Sequence, residues 1–594
     1  MDDTIDPALQ TAPPAASPVP SGATPPAVAV STARSVTALA IAVYGVVVVL
    51  AWVALELWGL GAEPFHTKGE PREGLVVWEM THGGGWILPK RNGVELPSKP
   101  PLFHWLAAVT SLTRGAADEW SIRFPSAALS LLGVLGVFAA GCRLWSPRAG
   151  LLSALTLMTT FEWARAATGA RVDMTLTFGL QLAFLSLLFF LRERRTAWLV
   201  PLYAGIAWAV LGKGPVGVAL PGLVALTMGA LTRDVGPLRQ LRLLWGAVAV
   251  AVVAGSWYVM ALIVGGTAFF RKQVLAENVF TFLDNASFGG GHRHSVLYLF
   301  GALLLGVLPW TLYLPGVAAR LWRQRRDIPP YDPRVFLLVW TFVVFAFYAV
   351  AASKRSVYLL GCYPAIGLLC GWWWDAQSRA PSDDDRWLTH VVRGAGWILL
   401  GILLPVGAVI ALESFGAPIA GAVGRSLSAT AQPLVPAISA GLRANRWLVL
   451  GLLALMLGGA YGLARTARAA HWLGMFAATL LVIGAGLTLV RQVVMPAVAT
   501  QLTLRTFMAR VRDVLGPDED LYFYKVFDYG AVFYWNGHIQ QYRPGTGRFV
   551  LIRQSQWEHL DAAEQRQFAL VTLPGDPGHG GRDRLVLIRR VDAP

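Results

Sequence analysis

Glu70, Arg72, Lys99, Asp173, Lys213, His292 and Lys354 interrupt apolar sequence where they could handle a phosphate or a sugar. In Lys68-Gly69-Glu70-Pro71-Arg72-Glu73, two carboxylates flank a guanidinium. The bland reading is a solvated ion cluster. The chemical one has Glu70 bind the reacting group while Arg72 binds phosphate or orients the carboxylate. Pro97-Ser98-Lys99-Pro100-Pro101 fixes Lys99 before a helix, where it is either a snorkelling lysine or a point charge for a lipid phosphate. Asp173, in Arg171-Val172-Asp173-Met174-Thr175, opens an apolar span; an acid there is costly and needs a cavity or a partner. Arg165 and Arg171 are the nearby candidates for a purely structural salt bridge. Lys213, in Gly212-Lys213-Gly214-Pro215, is a cation in need of an anion, whether a headgroup or a donor phosphate. Ser353-Lys354-Arg355-Ser356-Val357-Tyr358 could clamp a phosphate with Lys354, Arg355 and Tyr358. His292-Arg293-His294 follows three glycines; two histidines without carboxylate partners are weak evidence for a metal, so a divalent ion is left open with His292 as its candidate ligand.

The elements that must hold these residues are membrane helices. The chain has 594 residues, of which 55% are hydrophobic, and a mean hydropathy of +0.51. Runs near the length needed to cross a bilayer recur, and they are continuous rather than alternating, which selects helices over a barrel. About thirteen spans are expected, at 35–60, 122–144, 148–167, 173–191, 197–212, 214–231, 242–265, 296–318, 333–352, 356–376, 391–413, 446–465 and 470–491. The net charge of +15 would suggest nucleic acid on a soluble protein. Here the arginines fall in short loops, where they set topology and meet lipid headgroups, so membrane lipids and not nucleic acid are the expected partners. Cys142, Cys362 and Cys370 lie in or beside apolar spans and form no CxxC, so they read as packing residues.

Arg143 and Arg148, Arg192 to Arg195, Arg233 to Arg242, Arg320 to Arg326, Arg379 and Arg386, and Arg465 and Arg468 all fall in alternate turns. The positive-inside rule makes those turns cytoplasmic, together with the N-terminus. The candidate residues then share the outer face, a placement reached without reference to them. Residues 1–33 are rich in Pro and Ala and are expected to be a disordered cytoplasmic tail without signal-peptide character. The membrane region is expected over 34–499. Within it, the outer loop 61–121 should contain amphipathic elbow helices over 73–80 and 102–112, lying in the interface. Residues 500–594 should form a small outer α/β domain, with strands at 521–525, 548–552 and 585–590 and helices at 529–535 and 556–568. They carry no metal spacing, phosphate loop or nucleophile elbow, which favours structural or acceptor-handling roles.

Gly69-Glu70-Pro71-Arg72, Trp86-Ile87-Leu88-Pro89 with Asn92-Gly93, Lys99-Pro100-Pro101, Arg123-Phe124-Pro125-Ser126, Asp173, Lys213-Gly214-Pro215, His292, Leu308-Pro309-Trp310 and Ser353-Lys354 through Tyr358 occur in this order. As an ordered set they resemble the bacterial polyprenyl-phosphate-dependent glycosyltransferases of the GT-C class. These are related to the lipid A aminoarabinose transferase and the protein O-mannosyltransferases. The resemblance covers roughly 35–375, and the remainder in layout. It implies a bacterial inner-membrane enzyme with a periplasmic active site. The enzyme would transfer a sugar, with inversion, from polyprenyl (undecaprenyl) phosphate to a lipid A-like glycolipid or another envelope acceptor. Lys99, Lys213, Lys354 and Arg355 would stabilise the departing phosphate, and Glu70 or Asp173 would serve as base for a hydroxyl acceptor. The family's first motif often reads Asp-Glu-x-Arg-Tyr; here Gly69 and Glu73 stand at the Asp and Tyr positions. In the aminoarabinose branch a metal-site Glu precedes the Lys-Pro pair; here that residue is Ser98. A protein acceptor is an alternative. The rival from another class, a transporter or flippase of lipid-linked sugars, would place charges near the bilayer midplane within repeats.

Overall fold

The computed structural model describes residues 27–280, 294–381, 383–417, 434–516, 519–573 and 584–591, with Ile419, Gly421 and Gln432 between them. The N-terminal half is a succession of helices: α1 (Ala27–Trp52), α2 (Gly69–Thr81), α3 (Leu102–Arg114), α4 (Glu119–Leu144), α5 (Pro147–Met158), α6 (Phe161–Ala167), α7 (Val172–Glu193), α8 (Leu199–Lys213) and α9 (Val216–Thr232). Local sequence sets several of their ends. Asp118 and Ser121 cap α4 reciprocally, Ser146 caps α5 ahead of Pro147, and Gly115, at φ 79°, ends α3 in the left-handed region.

Each expected span carries a helix, but not every one is a full crossing by itself. Among the described residues nine helices are long and apolar enough to cross, and a bent pair adds a tenth. The pair is Val296–Gly306 and Trp310–Gln324, bent by 98°, where one span over 296–318 was expected. The expected span at 148–167 is also broken, into α5 and α6. Thr159 and Thr160 there bond back to Leu155 and Thr156, and the Phe161 amide bonds to the Leu308 carbonyl instead of its own helix. The Gly214 turn that divides α8 from α9 is present, with φ 92°.

The small residues of α7 and α8 explain their close antiparallel contact. A Cβ on Gly179 would meet the Ala209 backbone nitrogen at 2.7 Å, and one on Gly205 would meet that of Ala183 at 2.7 Å. Because the two helices run in opposite directions, the start of α7 and the end of α8 share one end of the bundle. At the opposite end buried acids gather arginines: Asp375 pairs with Arg148 and Arg379, and Asp385 with Arg323.

The C-terminal region forms a five-stranded mixed sheet of order β2-β1-β3-β5-β4. Its strands are β1 (Leu521–Phe523), β2 (Gln540–Gln541), β3 (Phe549–Arg553), β4 (Phe568–Leu570) and β5 (Leu585–Arg590). Strand β1 runs parallel to β2 and β3, and β5 runs antiparallel to β3 and β4. Alternation along β3 sends Phe549 and Leu551 to one apolar cluster, and Val550 and Ile552 to another. The first cluster is shared with the outer loop: Phe65, Leu75, Val76 and Phe103 pack with Phe523, Val532 and Phe533. Helix α2 is therefore buried between α4 and helix Tyr529–Trp535, with Gly74 against Ile122 and Phe533. Polar bonds repeat the connection. Trp78 donates to Asn536 (2.6 Å), the Phe65 amide to Tyr534 (2.7 Å), and Asn92 exchanges two bonds with the Ile539 backbone (2.7 and 2.9 Å). The helix expected over 556–568 divides into Gln554–Glu558 and Ala562–Gln565 and then gives way to β4, because Phe568 pairs with Arg590 of β5.

Candidate functional site

The α7–α8 hairpin brings two of the sequence-predicted residues together. Lys213 Nζ bonds Asp173 Oδ1 at 2.5 Å and lies 4.4 Å from the centre of the Tyr358 ring. The salt-bridge partner of Asp173 is thus Lys213, forty positions away in sequence, and not Arg165 or Arg171. Tyr358 in turn packs against Tyr348, with ring centres 5.1 Å apart.

Asp173 opens onto a cavity of about 600 Å³ between the start of α2, the 165–173 segment, the 353–357 turn and the C-terminal domain. Six of its lining residues are cationic (Lys68, Arg72, Arg165, Arg171, Lys354 and Arg355), against the two acids Glu73 and Asp173. The acids are engaged within the protein. Arg72 donates to Glu73 Oε1 through Nε (2.9 Å) and Nη2 (2.6 Å), and His104 Nε2 holds Oε2 at 2.8 Å. Burial pushes the Glu73 carboxyl up, but the bond to His104 and the charges of Arg72 and Arg91 outweigh it and hold the group well below the usual carboxylate range. Glu162, just outside the cavity, takes both guanidinium branches of Arg165 (2.5 and 2.9 Å). Buried Lys354 donates to the Ala351 carbonyl at 2.7 Å. The surplus charge is positive and suits an anion with several oxygens.

Four of the expected site residues lie off the cavity wall. Glu70 does not line the cavity. Its carboxylate is buried, taking Arg123 Nε (2.8 Å), Arg123 Nη2 (3.0 Å) and the Ala170 amide (3.0 Å). Burial raises this carboxyl, and Arg123 with the Ala170 amide more than reverses the effect, so Glu70 sits below its ordinary value. Arg123 also donates to the carbonyls of Leu60 and Glu63, so the pair staples α2, α4, the end of the first span and the segment before α7. Lys99 likewise lies outside the lining, paired with Glu277 at 2.9 Å, while Gln273 bonds the carbonyls of Pro97 and Lys99. Lys213 and Tyr358 stand behind Asp173 instead of on the wall. His292 falls outside the described residues, and among the described residues no group of three or more His, Cys, Asp or Glu could hold a metal.

Sequence reasoning missed Lys68, His294, Tyr298 and Tyr529 as lining residues, and it took Arg165 and Arg171 only as ion-pair partners. Lys68 and Arg171 open the motifs that contain Glu70 and Asp173, so proximity to those acids was an available signal. Tyr529 had none: it reaches the cavity because the C-terminal domain docks on the outer loop, where its hydroxyl donates to Glu95 at 3.0 Å.

The family model described as dolichyl-phosphate-mannose-protein mannosyltransferase matches residues 98–259. ArnT from Cupriavidus metallidurans, solved bound to undecaprenyl phosphate, superposes with a TM-score of 0.68 at 21% identity, covering 93% of this chain and 98% of that one. The fold is that of ArnT. The helical GT-C-like architecture with a small C-terminal sheet domain, expected from sequence, is the architecture found. The undecaprenyl phosphate-alpha-4-amino-4-deoxy-L-arabinose arabinosyl transferase of Pectobacterium atrosepticum is 27% identical over 379 residues, 60% of this chain and 66% of that protein. The similarly named transferase of Pseudomonas aeruginosa is 27% identical over 362 residues, 59% of this chain and 62% of that protein. The match thus spans just under two thirds of the length of these relatives. The chain resembles lipid-phosphate-dependent glycosyltransferases.

Proposed function

We propose that this protein is a glycosyltransferase that moves a sugar from polyprenyl phosphate to an envelope glycolipid at the periplasmic face of the bacterial inner membrane. The observation that carries the reading is the cation-rich cavity at one end of the helix bundle, with Asp173 in its wall. The names of the relatives, which specify undecaprenyl phosphate and aminoarabinose, agree with it. The positive-inside pattern of the arginine-rich turns supports an orientation with that end outside, the N-terminus cytoplasmic and the C-terminal domain periplasmic.

The reaction breaks the bond from the anomeric carbon to the phosphate oxygen. Polyprenyl phosphate leaves with the electron pair, and Arg72, Arg165, Arg171, Lys354 and Arg355 stabilise its charge. The acceptor attacks from the opposite side, with inversion. If the acceptor group is a hydroxyl, its proton passes to Asp173, which Lys213 orients. If it is a phosphate, no base is needed, and Asp173 orients the sugar. Glu73 and His104 fix Arg72, and Glu70 with Arg123 fixes the start of α2 on which Arg72 is carried.

The test uses the full chain in liposomes with polyprenyl-phosphate sugars and extracted envelope glycolipids, following released polyprenyl phosphate by mass spectrometry. Release by the wild type, lost in Asp173→Asn, is the expected result. Intact donor moved between leaflets without release would replace the enzyme reading with transport, and transfer to protein alone would replace the glycolipid acceptor.

A further inference from the structure

A second polar cavity, of about 240 Å³, lies where the outer loop meets the C-terminal sheet. We infer that it is a subsite for a phosphate of the acceptor lipid, an assignment that rests on the transferase reading above. Three of its cations come from two distant parts of the chain: Lys68 from the outer loop, and Arg553 and Arg584 from the sheet. The two arginines are adjacent across the β3–β5 pairing, since Arg553 faces Leu585 in register and the Gln554 amide bonds the Arg584 carbonyl at 2.8 Å. Among the described residues no carboxylate lies within ion-pair distance of Lys68. The acid in the wall, Asp528, has Oδ1 engaged by the amides of Gly530 and Ala531 as the cap of helix Tyr529–Trp535. His66, also lining, is paired with Glu63 at 3.1 Å. Thr67 is also in the wall, but its hydroxyl is buried behind the surface and is closed to solvent. Cations from two polypeptide segments converging on one cavity match the several oxygens of a phosphate ester.

Position selects a lipid as the source of that phosphate. Leu502, at the end of membrane helix Trp472–Leu502, lines the cavity and is exposed, so the cavity opens where a bilayer-anchored molecule presents its headgroup. The segment is rigidly placed, because Thr503 Oγ1 donates to the Phe65 carbonyl at 2.9 Å. Lys68 lines both this cavity and the larger one, so a headgroup held by its phosphate here would extend past Lys68 toward Asp173.

The test measures equilibrium binding of fluorescent lipid A, with and without its phosphates, to the full chain in nanodiscs, followed by acceptor KM in the transfer assay. The Arg553→Gln/Arg584→Gln variant is expected to weaken binding and raise acceptor KM for the phosphorylated lipid roughly 10- to 100-fold, with kcat and the response to dephosphorylated lipid unchanged. The Arg553→Lys/Arg584→Lys variant, which keeps the charge, should recover most of the loss and so excludes misfolding. Inorganic pyrophosphate should compete only weakly; competition equal to that of the lipid would overturn a lipid headgroup as the source. Unchanged affinity in the glutamine variant, or equal loss with dephosphorylated lipid, would overturn the subsite. Absence of transfer by the wild type would count against the transferase reading alone, since the binding measurement does not depend on it.

Discussion

Glu70→Gln separates a reacting carboxylate from a structural one. The side chain keeps its shape and one oxygen, but Arg123 loses its counter-charge in a site where both residues are buried. Breaking a buried pair by removing one partner costs about 3–5 kcal/mol. Arg123 retains the Leu60 and Glu63 carbonyls, and the new amide can still accept, so the lower end, about 3 kcal/mol, applies. The outer loop and the C-terminal domain share one apolar core and should unfold together. For a unit of that size each kcal/mol lowers Tm by about 2–4 °C, which gives a drop of roughly 6–12 °C. The assay is thermal unfolding of the full chain in nanodiscs, paired with initial rates of polyprenyl phosphate release at a temperature where both proteins are folded. The expected pattern is the Tm drop with a rate within about threefold of wild type, equivalent to less than about 0.7 kcal/mol on the barrier. An unchanged Tm with a rate reduced by more than about a hundredfold would refute the reasoning and return Glu70 to the reacting centre.

Asp173→Asn should lower the rate by about 10²–10⁴ if the acceptor is a hydroxyl; a rate near wild type would remove it as base. Arg171→Gln should raise donor KM about 10- to 100-fold, the value of one charge-assisted bond to phosphate, measured with saturating acceptor; an unchanged KM would take Arg171 out of the donor site. Acidification should destabilise the outer assembly through Glu73. Its folded-state pKa lies below the ordinary 4.5, so its contribution is complete above pH 4.5 and is lost as pH falls from there toward the folded value. The slope of Tm against pH in that acid range should therefore be shallower in Glu73→Gln than in wild type, and equal slopes would exclude Glu73 as a source.

Sequence alone exposed whatever depended on local pattern. Long apolar runs gave helices, Gly214 and Pro215 marked the break between α8 and α9, and the prolines before Leu102 marked the start of α3. Asp173 was legible because an acid opening an apolar span is costly. Its partner was not: Arg171 was two residues away, and Lys213 became adjacent only through the contact that Gly179 and Gly205 permit. Glu70 illustrates the reverse problem. The type and spacing of Gly69-Glu70-Pro71-Arg72 suggested chemistry for both charged residues, yet one turn of helix directs Arg72 to the cavity and Glu70 to Arg123. Strand β4, which begins where the expected helix ended, was not legible because its pairing with β5 is long-range, and the contribution of Tyr529 required knowing that two distant segments share a core.

The distribution of partners explains why the cavity is electrostatically unusual. At the opposite end of the bundle, Asp375 meets two arginines and Asp385 a third. Around the cavity the acids are also consumed: Glu70 by Arg123, Glu73 by Arg72 and His104, Glu162 by Arg165, and Asp173 by Lys213. Once those pairs form, no carboxylate among the described residues is within ion-pair distance of Lys68 or Arg171, although both line the cavity. Water and salt screen such solvent-facing charges at a modest cost. A phosphate that enters displaces that screening and meets donors already held in place by their pairs, so little side-chain ordering remains to be done on binding. The internal ion pairs thus have two effects: they fix Arg72 and Arg165 in position, and they remove the negative charge that would otherwise compete with the ligand.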